Sequence, residues 1–151
     1  MTGSEWIIIS TIVVLFAFST LLALSETAFV RTSRIRAIAL EEEGRRGAAR
    51  LVRMLEHPEQ TLNSLLFLLL LSQLTSASLL GVVLEREAGS AGLVLGIVLQ
   101  IVVYFVLGEV APKTYAIQHP ERAALRVSGF LWAITRFPPL DRKSTRLNSS
   151  H

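Results

Sequence analysis

Between Trp6 and Leu24 this chain places 19 consecutive residues without a charge, interrupted only by the hydroxyls of Ser10, Thr11, Ser19 and Thr20. At ~1.5 Å of rise per residue such a helix reaches about 28 Å, close to the hydrocarbon thickness of a bilayer. Two further apolar runs follow, Leu62 to Leu84 and Ser90 to Val110, and charge collects in the gaps. A soluble helix of this length would show a charged face every turn. The distribution of apolar residues, more than their 51% share, therefore predicts an all-α membrane protein.

The expected architecture is three transmembrane helices over about 5–30, 62–84 and 90–111, with amphipathic juxtamembrane helices over about 31–57 and 123–137. The first span lacks a basic flank of the kind that opens a signal peptide, so it is read as a retained helix. From Arg31 to Gln60 the chain carries seven arginines and five glutamates, with Ile35, Ile38, Leu51, Val52 and Leu55 at helical spacing. This predicts two amphipathic helices along the membrane surface, interrupted near Gly44 and Gly47. Glu41 with Arg45 and Glu42 with Arg46 stand four apart, either as pairs that support the helix by about 0.3 kcal/mol each or as an ordinary solvated face. Ala123–Phe137 is too short to span, carries Val127, Phe130, Leu131 and Ile134 on one face, and reads as an interfacial helix stopped by Pro138-Pro139. The last residues, Asp141–His151, lack periodicity and resemble a translated cloning scar, so 141–151 is expected to be a non-native tail, with native sequence continuing past Leu140.

Orientation follows from the basic residues. The segment between spans one and two has seven Lys or Arg, Lys113–Arg136 has four, the Glu85-Arg86-Glu87 loop has one, and the amino terminus has none. The positive-inside rule then puts the amino terminus outside a multi-pass protein of the cell (plasma) membrane. The formal charge of +3 belongs to this topology, since the arginines interleave with glutamates and form no basic stripe with stacking aromatics; nucleic acid is not an expected partner. The absence of cysteine removes disulfides, thiolate metal sites and thiol nucleophiles. No Walker A loop, G-x-S-x-G, H-E-x-x-H or Rossmann glycine pattern is present, so an enzyme is not expected.

Chemistry is expected where ionisable groups enter apolar helices, because such groups face a cavity or a partner. Glu26 and Glu109 are those groups, at similar depths near the cytoplasmic ends of spans one and three. Ser25, Ser72, the Gln73 amide and the carbonyl of Gly108, which loses its α-helical donor at Pro112, complete a candidate set of oxygen donors suited to Mg²⁺ or Na⁺. The competing reading pairs Glu26 with Arg31 and Glu109 with Lys113 at the interface. Ser72, Thr75 and Ser76 share one helix face and should point at protein, where hydroxyls commonly bond a neighbouring helix or their own backbone. Gly92 and Gly96 form a G-x-x-x-G pair that permits close helix approach, and a dimer contact is sought there. His57-Pro58-Glu59 and His119-Pro120-Glu121 read as helix starts before they read as metal ligands.

The string SETA at Ser25–Ala28, the arginine-rich stretch after it, HPE at His57–Glu59, GEVAPKTYA at Gly108–Ala116 and HPERAAL at His119–Leu125 together resemble the transmembrane domain of the cyclin M / CorC (CNNM) family, including bacterial CorC/HlyC-type hemolysin-like proteins. The resemblance covers nearly all of residues 1–140 and implies a homodimeric three-span domain that exports Mg²⁺ in exchange for Na⁺. It implies cytoplasmic CBS domains in the full-length protein. By position it assigns Ser25 and Glu26 to the first-helix motif, and Gly108 with Glu109 to the third-helix motif associated with the ion. The family's second helix carries a Gly-Asn pair where this chain has Leu68 and Leu69, and Ala23 replaces an earlier serine. Two functions are therefore expected: a magnesium or divalent cation efflux module, or a non-transporting dimeric anchor for cytoplasmic CBS-type regulatory domains.

Overall fold

The computed structural model describes residues 2–136. The Pro138-Pro139 stop and the tail expected at 141–151 lie outside the described residues. Within them the chain is helical, with no strand. Helix α1 spans Gly3–Arg31, α2 Arg34–Glu42, α3 Ala48–Glu56 and α4 Pro58–Val103; a π-helical segment covers Tyr104–Val110, followed by α5, Ala111–Gln118, and α6, Pro120–Arg136. Two compact units divide the chain: the first takes it up to Leu24 together with Leu68–Tyr115, the second takes Ser25–Phe67 and the chain from Ala116 onward.

Two helical runs, α1 and Pro58–Gln118, are long and apolar enough to cross a membrane. The core helix of a soluble protein would pass the same test but would be covered. Here only 17% of the most apolar stretch of α1 is buried, and 6% of that of Pro58–Gln118. Ile7, Val14, Phe67, Leu95 and Leu99 are all more than three-fifths exposed, and an apolar surface of this extent needs lipid around it. The chain is a membrane protein.

Inside α4 the backbone at Gly89 turns to φ 67° and ψ −164° and breaks the helix into two arms. That region is open essentially to glycine alone. Glu85, Arg86 and Glu87, expected as a loop, instead continue the helix, because they are adequate helix formers and the reversal needs only the one glycine. The arms fold back as a hairpin. A Cβ on Gly96 would collide with Leu84, one on Gly92 with Ala88, and one on Gly81 would sit 3.6 Å from Leu93. The partners of each pair stand on opposite sides of Gly89 in the chain, as a hairpin reversed at that glycine requires. The G-x-x-x-G pair thus admits the partner arm of its own chain.

The second unit contains α2, α3 and α6. Ser33 caps α2, its Oγ accepting from the Arg36 N–H at 3.2 Å. The helix ends in a Schellman turn: Arg45 N–H donates to Leu40 O and Gly44 N–H to Glu41 O, both at 3.0 Å, with Gly44 at φ 75°. Because α2 stops at Glu42, Arg45 and Arg46 never come round beneath Glu41 and Glu42, and the pairs expected four apart do not form. Ala37, Leu40, Leu51 and Met54 of α2 and α3, with Val127, Leu131 and Ile134 of α6, are buried. Helix α3 packs on both α2 and α6, so most of the apolar stripe read from α6 is covered by protein. Pro58 and Pro120 open α4 and α6 with Glu59 and Glu121 in the first turns, where an acid suits the helix dipole.

Candidate functional site

The first unit gathers four of the six sequence-derived site residues: Ser72, Gln73, Gly108 and Glu109. Ser72 and Ser76 are 5% and 0% exposed and lie one turn apart on the buried stripe of the first hairpin arm. Thr75, expected on that face, is exposed and donates to the Leu71 carbonyl of its own helix at 2.7 Å. The stripe is centred so that the residue three places on rotates out while the one four places on stays in. Across the hairpin, Gln73 Nε2 donates to Glu109 Oε1 at 3.1 Å, and Gln100 Nε2 lies 3.5 Å from Ser76 Oγ. Glu109, whose competing reading was an interfacial pair with Lys113, thus takes a neutral amide as its partner.

Glu109 sits on the π-helical segment. Pro112 has no N–H for the Gly108 carbonyl four residues back, and its ring crowds that carbonyl in an α-helix. The chain widens there, and Ala111 N–H donates to Val106 O, five residues back. A π turn of this kind displaces side-chain positions that a regular helix would keep in register. Gly108 is buried, and a Cβ on it would meet the Phe16 ring at 3.4 Å. Phe16 packs edge-on to Tyr104, with ring centroids 4.8 Å apart.

Between the arms lies a cavity of about 380 Å³ whose polar lining comes from Gln73, Gln100, Tyr104 and Glu109, and whose walls include Leu70 and Ile101. Two hydroxyls of this unit, Ser19 Oγ and Tyr104 Oη, are buried without a hydrogen-bond partner among the described residues. An unmet buried hydroxyl costs about 1–3 kcal/mol, so their retention needs a reason beyond packing. Sequence reading passed over Gln100 and Tyr104 as site residues and took Ser19 as a mere interruption of span one. The remaining sequence-derived residues, Ser25 and Glu26, fall in the second unit, where Ser25 is fully buried and Glu26 half-buried near the end of α1.

The profile of the Cyclin M transmembrane N-terminal domain matches residues 10–138. The chain belongs to the cyclin M transmembrane-domain family. This cyclin M domain is also similar to a UPF0053 protein of Haemophilus influenzae (strain ATCC 51907 / DSM 11121 / KW20 / Rd), 30% identical over 117 residues. That match covers 77% of this chain and 28% of the relative, so the domain spans little more than a quarter of it. Among the described residues of the cyclin M domain no three of His, Cys, Asp and Glu cluster as a metal cage. Any cation held here would therefore meet few carboxylates and mostly neutral oxygens, a set that leaves a small hard ion several of its waters.

Proposed function

We propose that this domain is a non-catalytic membrane module that exports Mg²⁺, or another hard divalent cation, in exchange for Na⁺. It works as a homodimer in the plasma membrane, with three spans, an amino terminus outside, and CBS-type regulatory domains elsewhere in the full-length protein. Family membership supports the class. The observation that carries the site is the Gln73–Glu109 bond, which anchors a carboxylate on a π-helical segment inside an apolar hairpin. An acid held there by an amide keeps its second oxygen for a cation, which then passes as cargo. Ser72 and the Gly108 carbonyl supply further oxygens in this reading, and the unmet hydroxyls of Ser19 and Tyr104 add two more. The test is Mg²⁺ efflux from loaded cells: Glu109→Gln is expected to abolish it, and unchanged efflux at normal expression removes Glu109 from the mechanism.

A second reading, the non-transporting anchor, is favoured by Leu68 and Leu69 on the second span, which offer no oxygen ligand. Calorimetry on the purified chain separates the two. A transporter gives Mg²⁺ heat that is lost with Glu109→Gln, and an anchor gives none.

A further inference from the structure

The second unit holds a basic cavity that the ion site does not use. It measures about 590 Å³ and is lined by Arg45, Arg46, Arg50, Arg122 and Arg126, with Gly47 and Ser128 in its wall. The five arginines come from the turn after α2, from α3 and from α6, so the tertiary fold brings them together from two stretches of sequence more than 70 residues apart.

None of the five forms an ion pair with a carboxylate among the described residues, although Arg45 is near enough to act electrostatically on Glu121. Arginines outside the cavity do find partners: Arg34 lies 3.7 Å from Glu56, and Arg36 donates to Glu121 from both Nε and Nη2. The Schellman turn at Gly44 is what withholds Glu41 and Glu42 from Arg45 and Arg46. Five like charges converging without a carboxylate ion pair among the described residues repel one another, an arrangement that a polyanion relieves.

Two details shape the cavity for such a ligand. Gly47 is the N-cap of the nine-residue α3 and offers no side-chain cap, so the positive end of that helix opens at the cavity wall. Gly129 leaves room for Arg50, whose Nη1 lies 3.0 Å from where a Cβ would stand, and lets the guanidinium lie across α6. Guanidinium forks match phosphate oxygens in pairs; a phosphate monoester carries about −1.5 to −2 charges and a diester about −1, so five arginines exceed the charge of a double-phosphate headgroup and balance two or three monoester phosphates. The volume lies in the range of about 300–1,000 Å³ common for ligand pockets.

We propose that this cavity binds a ligand bearing clustered phosphates, either the double-phosphate headgroup of an anionic lipid or a soluble polyphosphate. The site does not depend on which ion the apolar hairpin handles. The test uses the full chain in detergent, with inorganic pyrophosphate titrated by calorimetry and cardiolipin retention, against phosphatidylcholine, read by native mass spectrometry. At least one probe is expected to bind, and Arg50→Gln with Arg126→Gln is expected to weaken it at least about tenfold. Arg53→Gln, which removes one charge from α3 outside the cavity, is expected to leave binding unchanged, and far-ultraviolet circular dichroism checks that each variant keeps its helix. Selective cardiolipin retention identifies the lipid source, and pyrophosphate heat without it the soluble one. Binding of neither probe, or an equal loss with Arg53→Gln, overturns the proposal.

Discussion

Gly44 and Gly47 both hold positive φ, 75° and 87°, yet only one is enclosed. A Cβ on Gly44 meets open space, whereas one on Gly47 would drive into Ser128 Oγ and come within 3.2 Å of the Leu125 carbonyl oxygen. Gly44→Ala therefore carries the backbone cost alone, about 1–2 kcal/mol for an L-residue in the left-handed region. Gly47→Ala carries that cost and a collision with α6, and overpacking of this kind adds about 1–3 kcal/mol. The two variants should differ by the second term. Each kcal/mol moves the melting midpoint by roughly 2–8 °C in domains of this size range, so the gap is readable by thermal unfolding of the detergent-solubilised chain, followed by the fluorescence of Trp6 and Trp132. Ser128→Gly removes both side-chain atoms that the new methyl meets, and among the described residues Ser128 Oγ bonds only the Leu125 carbonyl of its own helix, at 2.8 Å. In the double variant the gap should narrow without closing, because the Leu125 carbonyl remains. The cost of a glycine within α6 is common to both backgrounds and cancels in the cycle. Equal midpoints for Gly44→Ala and Gly47→Ala would refute the α3–α6 contact and, with it, the wall of the basic cavity.

Gly96→Ile should destabilise the hairpin by about 1–3 kcal/mol through Leu84, and Leu84→Ala in the same chain should recover part of the loss; thermal unfolding of the three variants reads the coupling. The Arg36 hydrogen bond and charge hold the Glu121 carboxyl below the usual carboxylate range. A group depressed on folding contributes stability above its unfolded value and loses it as pH falls through the folded one. Melting points from neutral to acid pH should therefore show a small loss on the acid side of the ordinary carboxylate range, absent in Glu121→Gln. That loss should shrink in high salt, since both partners are solvent-facing.

The sequence by itself determined what is local or periodic. Long uncharged runs specify helices that need lipid, the two His-Pro-Glu strings start helices, and Gly44 and Gly47 stop one and admit the next. Glu109 and Gln73 were legible as candidates because a polar group in an apolar span needs a reason. Only the tertiary structure decided which polar groups meet. The π turn at Tyr104–Val110 and the hairpin at Gly89 set Glu109 against Gln73, 36 residues away, and turned Ser72 and Ser76 inward while leaving Thr75 outside. Periodicity fixes a residue's angle around its own helix but not the angle at which the neighbouring helix arrives. The same limit hid the arginine cavity, since Arg45 and Arg126 look in sequence like ordinary surface charge until α3 and α6 pack and bring them to one wall.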